Sequence, residues 1–139
     1  MEQFVEFAGN HPILFAAFGG IVGLLIWTTM QTAGGNRLAP ADAIRLINHE
    51  EAVVLDVRSD AEFQTGHIVG AVHIPEGQLD TSMNRLQKYR SKPVITACRT
   101  GQRSAAVSAK LRNAGFEQVF NLSGGIVAWE GANLPLTRR

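Results

Sequence analysis

Cysteine is almost missing from this chain: Cys98 is the only one in 139 residues. A lone thiol forms no internal disulfide, so the sequence points to a reducing compartment and leaves any sulfur chemistry to one residue. Lys and Arg are absent from residues 1–36, which hold two acids, Glu2 and Glu6, while all thirteen basic residues lie at or beyond Arg37. These thirteen are interspersed with ten acids and form no long run or aromatic-interleaved stripe, which argues against a nucleic-acid partner. His67 and His73 have no Cys or His partner at metal-ligand spacing. They are expected to be packed or hydrogen-bonded, with no metal site. Internal repeats and low-complexity stretches are lacking as well.

What the N-terminal part does contain is an uncharged run of eighteen residues from Ile13 to Met30, extending to about Ala33 if Gln31 and Thr32 sit at an interface. About 20 residues span a bilayer core, and a helix buried in a small soluble protein is rarely apolar on every face for so many turns. The run predicts a transmembrane helix over about residues 12–33, and the absence of a basic n-region favours an uncleaved anchor over a signal peptide. Arg37 and Arg45 follow the span and no Lys or Arg precedes it. The positive-inside rule then puts the N-terminus outside and the rest in the cytoplasm, as in a single-pass protein of a bacterial-type inner membrane. Trp27 suits the interface. Gly19 and Gly23 have the spacing of a helix-dimer motif, although lipid-facing glycine is the better reading of these small residues. Thr32 to Asn36 reads as a hinge, so the chain divides into residues 1–36 and a domain over residues 37–139.

In that domain Pro40 opens a helix reaching about His49, with His49 placed to suit its C-terminal dipole. Ala52–Val57, Ala71–Ile74, Val94–Ala97 and Gln118–Leu122 read as strands. Asp80–Arg90 and Arg103–Ala114 read as helices, the second stopped by Gly115. Strands alternating with helices predict an α/β fold with a mostly parallel sheet covered on both faces. Arg58 and Glu62 are expected to form a salt bridge across the turn after the first strand. Trp129 is expected to cap the core over the last turn.

Cys98 falls at the end of its strand, and Arg99 to Gln102 make a tight loop onto the following helix. Ligands bind at such strand ends, and helix N-termini favour anions such as a thiolate. With Arg99 and Arg103 nearby, the thiol pKa is expected to fall from roughly 8.5. Gly101 suits a loop curled around a bound group.

The loop Cys98-Arg99-Thr100-Gly101-Gln102-Arg103-Ser104 resembles the active loop of rhodanese-like sulfurtransferases. Asp56-Val57-Arg58, Glu62-Phe63, Gly66-His67-Ile68, Gly70-Ala71 and Ile74-Pro75 follow the order and spacing of a single rhodanese domain. Leu122-Ser123-Gly124-Gly125-Ile126, then Ala128-Trp129, resemble its closing turn and helix. The resemblance covers about residues 38–136. It implies a rhodanese-like sheet flanked by helices and a sulfurtransferase without a cofactor. Cys98 would accept sulfane sulfur from thiosulfate or a persulfide donor and pass it to a thiol or other small-molecule or protein acceptor. The amides of residues 99–103 would hold the outer sulfur, making Arg99, Thr100, Gly101, Gln102 and Arg103 the substrate-binding set, and Arg99 would draw an anionic donor. Asp56 and Arg58 would support the loop. Two alternatives stay open. One is a membrane-tethered recruitment module without catalysis; the other is a cysteine-dependent phosphatase, disfavoured because only four residues separate Cys98 from Arg103.

Overall fold

The computed structural model describes residues 1–33 and 36–139 and divides the chain into two compact units, Met1–Gly34 and Gly35–Arg139.

The first unit has two helices, α1 (Glu2–Asn10) and α2 (Pro12–Ala33). Pro12 opens α2, where a missing N–H costs nothing and the fixed φ suits a helix. The ring of Phe15 on α2 meets Phe4 and Phe7 of α1 at centroid distances of 5.8 and 6.3 Å, edge-on, so aromatic contacts join the two helices. The hydroxyls of Thr28 and Thr29 donate back to the Leu25 carbonyl, satisfying their polarity within the helix. Among the described residues one helix, α2, is long and apolar enough to cross a membrane, and none of its Pro12–Thr29 stretch is buried. Its 22 residues measure about 33 Å at 1.5 Å each. The sequence reading left α1 unassigned. α2 matches the helix expected over about residues 12–33 and takes in Thr32 and Ala33 of the expected hinge; Gly34 and Gly35 lie outside the described residues.

The second unit is a five-stranded parallel sheet in the order β1-β5-β4-β2-β3. Its strands are β1 (Arg37–Leu38), β2 (Val53–Asp56), β3 (Val72–His73), β4 (Val94–Ala97) and β5 (Val119–Leu122). The helices are α3 (Pro40–Glu50), α4 (Asp60–Thr65), α5 (Leu79–Leu86), α6 (Gln102–Asn113) and α7 (Gly125–Gly131). The expected parallel α/β sheet is thus present. The helix expected over Asp80–Arg90 is instead α5 followed by a separate 3-10 turn, Gln87–Tyr89.

Alternate residues of each central strand point to opposite faces, so one strand feeds two cores. Val94 and Leu55 join Ile74, Leu79, Leu86, Val107 and Leu111 on one face. Ile95 and Val54 join Ala43, Ile68, Leu122, Ile126 and Trp129 on the other. Each fully buried leucine or isoleucine contributes about 2 kcal/mol, and this double burial holds the strand ends that carry the site. Trp129 is buried and donates its indole N–H to the Pro135 carbonyl at 3.1 Å, as its reading as a core cap requires.

Candidate active site

β2 and β4 lie side by side, with Asp56 opposite Ala97 at their carboxyl ends. From there the chain continues outward in opposite directions, β2 toward β3 and β4 toward β5. Such a switch point leaves a crevice beyond the strand ends, and Cys98 is the first residue after β4. The loop then turns through Gly101, whose φ of +94° lies in the left-handed region and whose absent Cβ would stand 3.1 Å from the Leu122 carbonyl oxygen. Conformation and space both call for glycine there.

The loop curls so that amides face the sulfur. The Gly101 N–H donates to Cys98 Sγ at 3.0 Å, and the Ser104 hydroxyl lies 3.2 Å from the same atom. The carbonyls point elsewhere. At the start of α7 the N–H groups of Ile126 and Val127 donate to the carbonyls of Cys98 and Arg99, at 2.9 and 3.1 Å. This back-to-back contact is why Gly125 must be glycine: its φ is +59°, and a Cβ would collide with both carbonyl oxygens. Cys98 is 1% exposed. That burial pushes the thiol pKa up, but the Ser104 hydroxyl and the amides of Ser104, Gly101 and Thr100 more than offset it, leaving the thiol below its ordinary value.

Two of the three arginines near the loop are paired with carboxylates. Arg103 turns from the loop to Glu62 of α4, Nη1 to Oε1 and Nη2 to Oε2, each at 2.9 Å. Arg58 pairs with Asp56, its Nη2 2.7 Å from Oδ2, and also donates to the Gly66 carbonyl at 2.8 Å. The expected Arg58–Glu62 bridge is therefore replaced by two others. Asp56 and Arg58 are both buried, so the shortest reach wins: a carboxylate two residues away meets the guanidinium without either leaving the core. Arg99, Thr100 and Gln102 are exposed at the loop's rim. Arg99 makes no ion pair among the described residues and lines an open groove of about 460 Å³ together with Arg58, Glu62, Ile126, Val127 and Glu130. His67 and His73 are hydrogen-bonded, as expected. His67 meets the carbonyl oxygens of Phe63 and Arg139, and His73 meets that of Arg58.

Three residues missing from the sequence-based site belong to it by geometry. Ser104, quoted within the motif but given no role, touches the sulfur. Asn121, buried on β5, touches both Gly101 and Ser104, at 2.8 and 2.6 Å. Glu62 holds Arg103. The pattern Ser59-x-x-Glu62 announces a capping box, and the structure has one: the Glu62 N–H donates to Ser59 Oγ while the Glu62 carboxylate accepts from the Ser59 N–H. That pattern was the available signal for an ordered Glu62.

The Rhodanese-like domain signature matches residues 39–132.

The chain belongs to the rhodanese family.

A sulfurtransferase of Allochromatium vinosum is 36% identical over 92 residues, 66% of this chain and 84% of that one. The uncharacterized protein YibN of Escherichia coli is 36% identical over 99% of both chains, so the likeness takes in the N-terminal segment as well as the rhodanese domain. Among solved structures, a rhodanese-related protein of Thermoplasma volcanium superposes with a TM-score of 0.68 at 29% identity. That match covers 75% of this chain and 99% of the other. Within this rhodanese domain the Gly101 N–H and the Ser104 hydroxyl are the groups that meet Cys98 Sγ.

Proposed function

We propose that this rhodanese is a sulfurtransferase working through a Cys98 persulfide. The observation that carries the reading is the set of donors on the sulfur, the Gly101 N–H at 3.0 Å and the Ser104 hydroxyl at 3.2 Å, which stabilise an anion at that atom. The Cys98 thiolate attacks the sulfane sulfur of thiosulfate; the new S–S bond forms as the bond to the sulfonate sulfur breaks, and sulfite leaves with the electron pair. An acceptor thiolate then attacks the outer sulfur of the persulfide, and Cys98 departs as thiolate. Both steps are displacements at sulfur, so neither needs an external oxidant, cofactor or metal. Arg99, exposed and without an ion pair among the described residues, is placed to draw the sulfonate. The groove beside it supplies room for a small thiol or for the tip of a protein acceptor.

Arg103 bears on the phosphatase alternative. Its guanidinium gives two of its N–H donors to Glu62, so fewer remain for a phosphoryl group in the loop. Intact-mass measurement after exposure to thiosulfate tests the proposal. One added sulfur is expected on the wild-type chain and none on Cys98→Ser. A wild-type chain that never gains sulfur from any donor would instead fit a recruitment module.

The proposed setting is the cytoplasmic face of a bilayer, with α2 as a single-pass anchor. Support comes from its length, its unburied apolar surface and the position of Arg37 and Arg45 after it. A cysteine placed at Gln3 should react with a membrane-impermeant reagent in intact cells while Cys98 stays unlabelled. The opposite pattern would reverse the orientation.

A further inference from the structure

Cys98 and its loop rest on a buried polar floor. β4 and β5 are otherwise apolar near their ends, yet the register pairs Thr96 with Asn121. Asn121 is buried, and its carboxamide points up at the loop. Its Nδ2 donates to the Gly101 carbonyl at 2.8 Å, and its Oδ1 accepts from the Ser104 hydroxyl at 2.6 Å. The orientation of the amide is fixed, because only Nδ2 can serve a carbonyl oxygen. Gly101 and Ser104 are also the residues whose donors reach the sulfur.

We propose that Asn121 is a positioning residue for the Cys98 cradle: from β5, outside the loop, one side-chain amide fixes both groups that touch the sulfur. The proposal rests on the sulfur-transfer reading for the step it serves. Gly101 is held at both polar ends, its N–H on Cys98 and its carbonyl on Asn121, so the two peptide units that meet at its Cα are each anchored. Ser104 has a single hydroxyl hydrogen to share between Asn121 and Cys98. With a neutral thiol, that hydrogen goes to Asn121 and the S–H donates to Ser104 Oγ. With a thiolate or persulfide, the hydrogen turns to sulfur, and Asn121 Oδ1 is left to the Thr96 hydroxyl 3.5 Å away. The hydroxyl oxygen stays in place in both states. Removing the carboxamide frees one hydrogen for the thiolate but releases the Gly101 amide and the seat of Ser104. The two released donors outweigh the one gained.

The rate of alkylation of the full-length chain by neutral iodoacetamide, followed against pH, reads the thiol without any sulfur donor. Asn121→Ala should move its midpoint up by about one pH unit. Asn121→Asp, which keeps the shape and the acceptor but places an oxygen against the Gly101 carbonyl, should also move it up. In turnover Asn121→Ala should lower kcat about tenfold and leave KM for thiosulfate within about twofold, because Arg99 is untouched. In the unaltered chain the Asn121 side-chain amide resonances should titrate with the alkylation midpoint and stay flat in Cys98→Ser, a measurement that does not depend on the Asn121 variants folding. A folded Asn121→Ala with its midpoint unchanged or lowered, or flat Asn121 resonances in the wild type, overturns the assignment. Failure of the wild type to transfer sulfur would remove the proposed reaction, while the alkylation comparison would still decide the role of Asn121.

Discussion

Glu62 and Arg103 stand 41 residues apart in sequence and meet side by side, guanidinium to carboxylate, through two 2.9 Å hydrogen bonds. The same Glu62 closes the capping box of α4, so one carboxylate ties the first turn of α4 to the first turn of α6 behind the active loop. The Arg103 hydrogen bonds are the main cause holding the Glu62 pKa down at about 2, and Glu62 in turn raises that of Arg103.

A carboxylate whose pKa is lower in the folded state stabilises the fold above its unfolded value of 4.5, and that contribution disappears as pH falls through about 2. Glu62→Gln should therefore melt lower than wild type at pH 6, with the gap closing between pH 4.5 and about 2. Both side chains are partly exposed, so the difference at pH 6 should be no more than about 1 kcal/mol. Thermal melts across that range check it, and a gap that persists at pH 2 would refute it.

Ser104→Ala removes the largest of the causes that lower the thiol pKa. The midpoint of thiol alkylation should rise by about one pH unit, and sulfur transfer at pH 7 should fall roughly tenfold. Cys98→Ser should abolish transfer outright, because a hydroxyl forms no persulfide. An unshifted midpoint in Ser104→Ala would mean that the loop amides alone set the thiol.

Arg99→Ala should raise KM for thiosulfate about tenfold and change kcat less than about threefold, since the guanidinium is proposed to hold the ground-state sulfonate. An uncharged persulfide donor should show no such penalty. Steady-state kinetics with the two donors separate charge attraction from a general loss of the loop.

Gly125→Ala should damage both stability and activity. Its φ of +59° disfavours a side chain, and the added methyl would push the Cys98 and Arg99 carbonyls off the α7 amides. A loss of about 2 kcal/mol or more in chemical denaturation is expected, with alkylation of Cys98 no longer showing a lowered midpoint. A variant with wild-type stability would show that the turn has room the structure denies it.

Much of this architecture is legible in the sequence because it is local. Val94-Ile95-Thr96-Ala97 is apolar, short and bounded by Pro93 and the loop, so β4 could be placed to the residue. Pro40 marks the start of α3 for the same reason. β1 escaped because two residues at a sheet edge, Arg37 and Leu38, become a strand only through β5, some eighty residues later. The ion pairs escaped for a related reason. Arg58 and Glu62 have helical spacing, but Arg58 is buried with Asp56, and Glu62 finds a partner that helical periodicity cannot name. Asn121 carried a faint signal, a polar residue in a buried strand, but its partners emerge only from the pairing of β4 with β5.

Three carbonyls of the active loop, those of Cys98, Arg99 and Gly101, are bound from behind by Ile126, Val127 and Asn121. A cation approaching the thiolate would therefore find those three carbonyl lone pairs already taken by N–H donors. The same wiring turns the loop's lone pairs outward and its hydrogens toward the sulfur.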